Sequence, residues 1–160
     1  MDISIIWETA WPEKHLKAMQ HSYCKTPFFR KYGSLLESIY GRRDEMLADF
    51  TCATTELIAR KLGISQTKFL RSSQLPAKGA KTDRLISILT HLGATHYISG
   101  PSAKEYIEKD KFDAAGISVE FMNYDYLEYP QINGSFSPKV SILDLLFNVG
   151  PKARHFIWGK

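Results

Sequence analysis

A chain of 160 residues, of which 44% are hydrophobic and 24% charged, has the size and balance of one globular domain, so we expect a single core and no extended disorder. Its apolar runs are too short to cross a bilayer, which argues against a membrane span. The net charge of +4 favours anionic partners, and phosphorylated metabolites or nucleotide sugars respond to such a field as nucleic acid does.

The first part of the chain has the periodicity of helices. Leu16, Met19 and Tyr23 recur at three- and four-residue steps opposite a lysine-bearing face, which predicts an amphipathic helix. Two more such patterns follow, the last of them closed by Gly63, because glycine readily adopts the left-handed conformation that ends helices. We therefore expect residues 1–63 to form a part made of three helices.

Further along the chain, strand patterns alternate with helical ones. Thr67–Arg71, Thr95–Ile98 and Ile117–Phe121 read as strands, and helical stretches separate them. Alternation of this kind predicts a β-α-β-α-β unit with a parallel sheet, here within residues 64–151. The predicted fold class is therefore α/β, with three N-terminal helices, the parallel-sheet unit and a buried C-terminal helix in one domain.

The C-terminal helix, predicted over Ser141–Val149, is apolar around nearly its whole circumference, which predicts burial. Ser141, Asp144 and Asn148 nevertheless share one face. Such a polar stripe either lines a cleft or pairs inside the protein, because an unpartnered buried carboxylate is costly. The alternative is a solvent-facing stripe in which Ser141 and Asp144 act as a cap. We expect residues 152–160 to form a short tail.

The loop after the first predicted strand is a candidate anion site. In an open parallel sheet, ligands bind beyond the carboxyl ends of the strands, where helix N-termini favour anions. Lys78 and Lys81 lie in this loop, and Thr82, Asp83 and Arg84 follow in the first turn of a helix. The alternative is that Thr82 caps the helix, Asp83 complements its dipole and the basic side chains extend into solvent.

Two further loops belong to the same predicted edge of the sheet. Ser99 and Gly100 form a turn in which the missing side chain would let a ligand approach the backbone, although an ordinary capped turn explains them equally well. The connection Asn123–Lys139 contains Tyr129 and has no clean period. Long ordered loops of this kind are often functional.

Several classes of site lack their sequence basis. Cys24 and Cys52 are not in a CxxC spacing, so we expect two reduced thiols rather than a disulfide. The five histidines include no pair three or four residues apart, which argues against a metal site. Because no secretory signal opens the chain, the expected location is the cytoplasm. The cofactor requirement stays open.

Five stretches together resemble the bacterial WbqC-like protein family. They are Trp11–Tyr32, KTDRL at Lys81–Leu85, LGATHYISGPSAKEYI at Leu92–Ile107, YPQ at Tyr129–Gln131 and SILDLLFNVGP at Ser141–Pro151. The order and spacing of these pieces are more specific than any one of them. The resemblance covers nearly the whole chain.

The resemblance implies a transferase that adds a glycyl or related acyl group to an amino sugar, in the biosynthesis of surface polysaccharide such as the O-antigen of lipopolysaccharide. We expect Asp83 or Asp144 to orient or deprotonate the acceptor amine. An anionic small molecule, such as a nucleotide sugar or an acyl donor, is the expected partner, and nucleic acid is a minor alternative. The residues expected to bind substrate are Lys78, Lys81, Thr82, Arg84, Ser99, Gly100, Tyr129, Gln131 and Asn148.

One departure from the family pattern leaves a second function open. Family members usually begin with a further segment that carries a His-Gln-Pro turn and a Tyr-Leu-Pro-Trp stretch, and this chain starts after it. Another chain, in a homo-oligomer or a heteromer, could supply that segment. Alternatively, the protein is a noncatalytic binding or partner subunit, or a truncated inactive member.

Overall fold

The computed structural model describes residues 3–159. These residues form two compact units: the helical unit, residues 3–67 and 126–159, and the sheet unit, residues 68–125. No helix in this described part of the chain has both the length and the apolar character needed to cross a membrane. The elements follow in the order α1 (Trp11–Tyr23), α2 (Phe29–Tyr40), α3 (Leu47–Lys61), α4 (Lys81–His91), β1 (His96–Ser99), α5 (Lys109–Ala114), β2 (Ser118–Phe121), α6 (Ile142–Val149) and α7 (Ala153–Trp158).

The helical unit has a hydrophobic core to which α2 and α6 contribute most of the buried side chains. In α6, every residue from Leu143 to Val149 is buried. Phe147 is completely buried, and its ring centroid lies 5.0 Å from that of Tyr23 and 5.4 Å from that of Phe29. Full burial of one such side chain contributes about 1.5–3 kcal/mol. The aromatic contacts therefore fix α6 against the N-terminal helices of this unit.

Both ends of α6 are set by local chemistry. Ser141 caps the N-terminus, where its hydroxyl accepts a hydrogen bond from the backbone N–H of Leu143 at 3.3 Å. Gly150 ends the helix with a φ of +57°, in the region that favours glycine. The backbone of Gly150 also lies directly against Phe28, since a Cβ atom added there would overlap the Phe28 ring. A side chain at this position would therefore both strain the backbone, because φ is positive, and overlap the Phe28 ring.

We expect Gly150→Ala to lower the free energy of unfolding by about 2–4 kcal/mol, because it adds an overlap with a core ring to a strained φ. Urea denaturation of the full chain measures the change. The matched control is Gly134→Ala, where φ is +76° and no atom lies within 4 Å of the added Cβ, so that only the backbone cost of about 1–2 kcal/mol applies. Equal losses in the two variants would contradict the proposed contact with Phe28.

The sheet unit is built on two parallel strands, β1 and β2, with His96 opposite Ser118. Parallel strands require a crossover connection, and here a 3-10 helix and α5 provide it. Phe112 of α5 is completely buried and its ring stacks on that of Tyr97 of β1, with centroids 5.6 Å apart. This stacking holds the crossover on the sheet.

The α/β class, the N-terminal helices, the parallel sheet and the buried C-terminal helix are confirmed. The first predicted strand is wrong, since Thr67–Arg71 contains no strand. A strand persists where a neighbouring strand takes its backbone hydrogen bonds and a packed face covers its side chains. Phe69 and Leu70 are exposed, so this segment lacks the packed face. The single-domain organisation, with boundaries at residues 63 and 151, stays a prediction.

Candidate functional site

A buried carboxylate on α6 is the centre of the candidate site. Asp144 is only 7% exposed, and its Oδ1 atom accepts three hydrogen bonds. The hydroxyl of Tyr129 donates at 2.8 Å, Nε2 of Gln131 at 3.0 Å and Nδ2 of Asn148 at 3.2 Å. These donors offset the cost of removing the carboxylate from water. With Tyr23, described below, these residues are called the Asp144 cluster.

The sequence places these donors by local geometry. Asp144 and Asn148 are four residues apart on one helix and therefore lie on the same face. Pro130 restricts Tyr129 to extended backbone, in which side chains two residues apart point to the same side. The side chain of Gln131 also binds Ser137, by accepting its backbone N–H at 2.9 Å and donating to its carbonyl at 3.0 Å. The loop is thereby closed over the carboxylate.

Asn148 holds one hydrogen-bond acceptor that the described part of the chain leaves unused. Its Nδ2 atom donates to both the backbone carbonyl and the carboxylate of Asp144, so the side-chain oxygen must point the other way. Asn148 is 6% exposed, and its Oδ1 atom is buried without a hydrogen-bond partner among residues 3–159. A buried unpaired acceptor costs about 1–3 kcal/mol. A ligand with an N–H or O–H group would remove this cost.

Two tyrosine hydroxyls accompany the carboxylate. Burial, followed by the charge of Asp144 and a hydrogen bond to it, raises the pKa of Tyr23 to about 12. Burial and the hydrogen bond to Asp144 likewise raise the pKa of Tyr129 to about 12. Both phenols therefore stay protonated at neutral pH and act as donors toward Asp144.

The raised pKa of Tyr129 predicts a specific loss of stability in alkali. The unfolded chain ionises this phenol near its ordinary pKa of 10.0 and the folded chain only near 12, so its contribution to the free energy of unfolding is present below pH 10 and lost as the pH rises through 12. Tyr129→Phe lacks the ionisable group. We expect its free energy of unfolding to approach that of the wild-type protein as the pH rises from 9 to 12.

Urea denaturation at a series of pH values measures this convergence. The matched control is Tyr106→Phe, because Tyr106 is 66% exposed, and this variant should run parallel to the wild-type protein. Parallel curves for Tyr129→Phe would show that the phenol titrates alike in the folded and unfolded chains.

In the sheet unit, two residues of the predicted anion site around α4, Asp83 and Arg84, bind other groups of the protein. The carboxylate of Asp83 forms an ion pair with Nζ of Lys111 at 2.8 Å. The guanidinium of Arg84 donates to the backbone carbonyls of Ala77 at 3.1 Å and Ser72 at 3.3 Å. Arg84 therefore holds the preceding loop in place.

The remaining predicted residues of this unit have separate surroundings. Thr82 does not cap α4, whose N-cap is Ala80 without a side-chain hydrogen bond. Thr82 is instead buried inside the first turn, and its hydroxyl accepts the backbone N–H of Glu108 at 3.4 Å. Lys78 and Lys81 are exposed, and Lys81 has a φ of +50°, in the region that favours glycine.

The predicted residues Ser99 and Gly100 are neighbours in the turn after β1, and each has its own surroundings. Ser99 accepts a hydrogen bond from the Tyr97 hydroxyl at 3.4 Å. Gly100 is the N-cap of the following 3-10 helix and has no atom within 4 Å of an added Cβ. The turn is therefore open at this point.

Four of the predicted site residues thus come together in the helical unit: Tyr129, Gln131, Asp144 and Asn148. The other seven lie in the sheet unit, and the anion pocket predicted to unite all eleven stays a prediction. Sequence reasoning missed Tyr23 as a member of the site. Its place on the inward stripe of α1 was a usable signal, because a buried tyrosine hydroxyl needs a polar partner.

The C-terminal segment of the helical unit also forms a cavity that was not predicted from the sequence. This opening has a volume of about 750 Å³, and none of the predicted site residues lines it. Its signal in the sequence was the interleaving of basic and aromatic residues. Among residues 3–159, no group of three or more His, Cys, Asp and Glu side chains is arranged to hold a metal ion. The lining residues are Pro151, Lys152, Arg154, His155 and Trp158.

Comparisons with known proteins extend over both units. The model of the WbqC-like protein family matches residues 1–156 of this chain. The uncharacterized protein Rv1507c of Mycobacterium tuberculosis is 35% identical over 158 residues, which cover 96% of this chain and 67% of that protein. No solved structure gives a significant match. The family match therefore includes the whole Asp144 cluster and runs into α7.

Proposed function

This chain belongs to the WbqC-like protein family, and on that premise we propose that it transfers a glycyl or related acyl group to the amino group of an activated sugar. The reaction would serve the biosynthesis of bacterial surface polysaccharide and take place in the cytoplasm. The observation that carries the proposal is the buried carboxylate of Asp144, held by three donors beside an unpaired acceptor on Asn148. The carboxylate can take a proton from an incoming amine, and the amide oxygen can accept a hydrogen bond from another group of the substrate.

The arrangement of atoms supports distinct roles for the two side chains. Tyr129, Gln131 and Asn148 donate to Oδ1 of Asp144, and Tyr23 is a further hydrogen-bond donor to this carboxylate. We assign Oδ2 as the proton acceptor. The Oδ1 atom of Asn148, which points away from Asp144, would accept an N–H or O–H group from another part of the substrate. Tyr129 and Gln131 are only half-buried, and the amine would enter past them.

The proposed step is an aminolysis of an activated acyl donor, such as an aminoacyl ester or a thioester. The amine nitrogen attacks the acyl carbon and forms an amide bond, while the bond from that carbon to the oxygen or sulfur of the leaving group breaks. Asp144 takes the proton that the amine loses and can return it to the leaving group. No net oxidation or reduction occurs.

We expect Asp144→Asn to lower the rate of transfer by a factor of about 10²–10⁴, the usual contribution of a general base. Transfer is measured by mass spectrometry of UDP- and dTDP-amino sugars incubated with aminoacyl-ester and thioester donors. The near-identical shape of asparagine keeps the packing, and the melting temperature of each variant reports whether the fold is intact.

Asp83→Asn is the matched control, because it removes an equally plausible carboxylate that the structure pairs with Lys111 on the surface. This variant should keep its activity. Full transfer by Asp144→Asn would remove Asp144 from the mechanism, and loss of transfer in Asp83→Asn alone would move the base to the sheet unit. If no amino sugar gives heat in calorimetry or reacts, and a second protein is captured stably, the noncatalytic subunit becomes the better interpretation.

A further inference from the structure

The cavity on the C-terminal segment of the helical unit is lined by two cationic side chains and an imidazole. Lys152, Arg154 and His155 supply an ammonium, a guanidinium and an imidazole to its lining. None of the three forms an ion pair with an acidic side chain within the described residues 3–159. Unpaired cations around a cavity favour an anionic ligand, because the attraction is not already satisfied within the protein.

The guanidinium of Arg154 is held in position before any ligand binds. It lies 5.5 Å from the centroid of the Trp158 ring, in a cation–π contact. On another side it packs against the backbone of Gly63, where an added Cβ would be 3.2 Å from Nη1. A guanidinium fixed in this way loses little conformational freedom when it binds a phosphate, for which its forked donors are suited.

Trp158 adds an apolar surface to the same cavity. The side chain is 44% exposed although indole rings are usually highly buried. Arg154 covers part of the ring, and the exposed remainder faces solvent beside the cationic groups. Aromatic rings next to phosphate-binding cations commonly stack on the bases of nucleotides.

We propose that this cavity binds a nucleoside diphosphate, with the diphosphate on Lys152 and Arg154 and the base stacked on Trp158. The volume of about 750 Å³ lies within the range of sites for ligands of this size. The proposal adds a substrate-binding site to the proposed transfer function. It rests on that function in one respect, because the nucleotide is the activating group of the amino-sugar substrate.

A chain of packed rings connects the cavity with the Asp144 cluster. His155, in the cavity wall, contacts the ring of Phe156 with centroids 5.4 Å apart. Phe156 contacts Tyr129 with centroids 5.7 Å apart, and Tyr129 donates its hydroxyl hydrogen bond to Asp144. The nucleotide part of a substrate on α7 would thus bind next to the elements that hold the proposed base.

Calorimetry of the full chain with UDP, uridine and pyrophosphate tests the proposal. We expect UDP to bind at least tenfold more tightly than either fragment, because it engages both the cations and the ring. Arg154→Gln should weaken both UDP and pyrophosphate about tenfold or more. Trp158→Ala should weaken UDP about tenfold and pyrophosphate to a smaller extent, because Arg154 also loses its cation–π contact, whereas Trp158→Phe should retain most of the affinity.

Arg30→Gln is the matched control, since it removes the same charge from an exposed position on α2 and should leave the binding of UDP unchanged. The proposal is overturned if UDP gives no heat, if pyrophosphate binds as tightly as UDP, or if Trp158→Ala binds UDP like the wild-type protein. Melting temperatures confirm that each variant is folded.

Measurements of UDP binding and of transfer on the same variants test the nucleotide site and the transfer function separately. Asp144→Asn should bind UDP with unchanged affinity even where transfer is lost. Binding of UDP without transfer to any amino sugar would support the cavity and remove the proposed reaction. Transfer that continues at the wild-type rate and Michaelis constant in Arg154→Gln and Trp158→Ala would overturn the cavity as the nucleotide site and leave the reaction standing.

Discussion

The carboxylate of Asp144 has to be compensated inside an otherwise apolar core, and this constraint organises the helical unit. The seven residues Leu143–Val149 of α6 are buried, and a charged group among them is tolerated only with hydrogen-bond donors around it. The donors come from α6 itself and from the loop before it, while Tyr23 of α1 adds its hydroxyl. One side chain therefore links distant parts of the sequence.

Residues 129–158 form a continuous packed structure that contains most of the candidate functional residues. The loop that contains Tyr129 closes over Asp144, α6 fills the core, and the turn at Gly150 directs the chain into α7. Phe156 of α7 then packs back on Tyr129. Asp144, the proposed base, and the cavity on the C-terminal segment are thus built from neighbouring elements, and both depend on the same core contacts.

The charged residues of the sheet unit contrast with this arrangement. Asp83 pairs with Lys111 at the surface, and Arg84 donates to backbone carbonyls of its own loop. Exposed ion pairs are screened by water and contribute little to stability. Asp83 and Arg84 nevertheless bind groups of the protein itself. Their contacts therefore hold the crossover and the loop of the sheet unit in place. Within residues 3–159, none of these charged side chains has an unpaired buried acceptor of the kind found on Asn148.

The sequence by itself determined what depends on neighbours a few residues away: the three N-terminal helices, the burial of α6, and the shared face of Asp144 and Asn148. Helical periodicity encodes these features locally. The tertiary structure alone decided that Tyr129 and Gln131 turn toward Asp144, that Thr67–Arg71 is no strand, and that the C-terminal segment opens a cavity. Each of these outcomes depends on which distant segments pack together, and a pattern of nearby residues does not specify that packing.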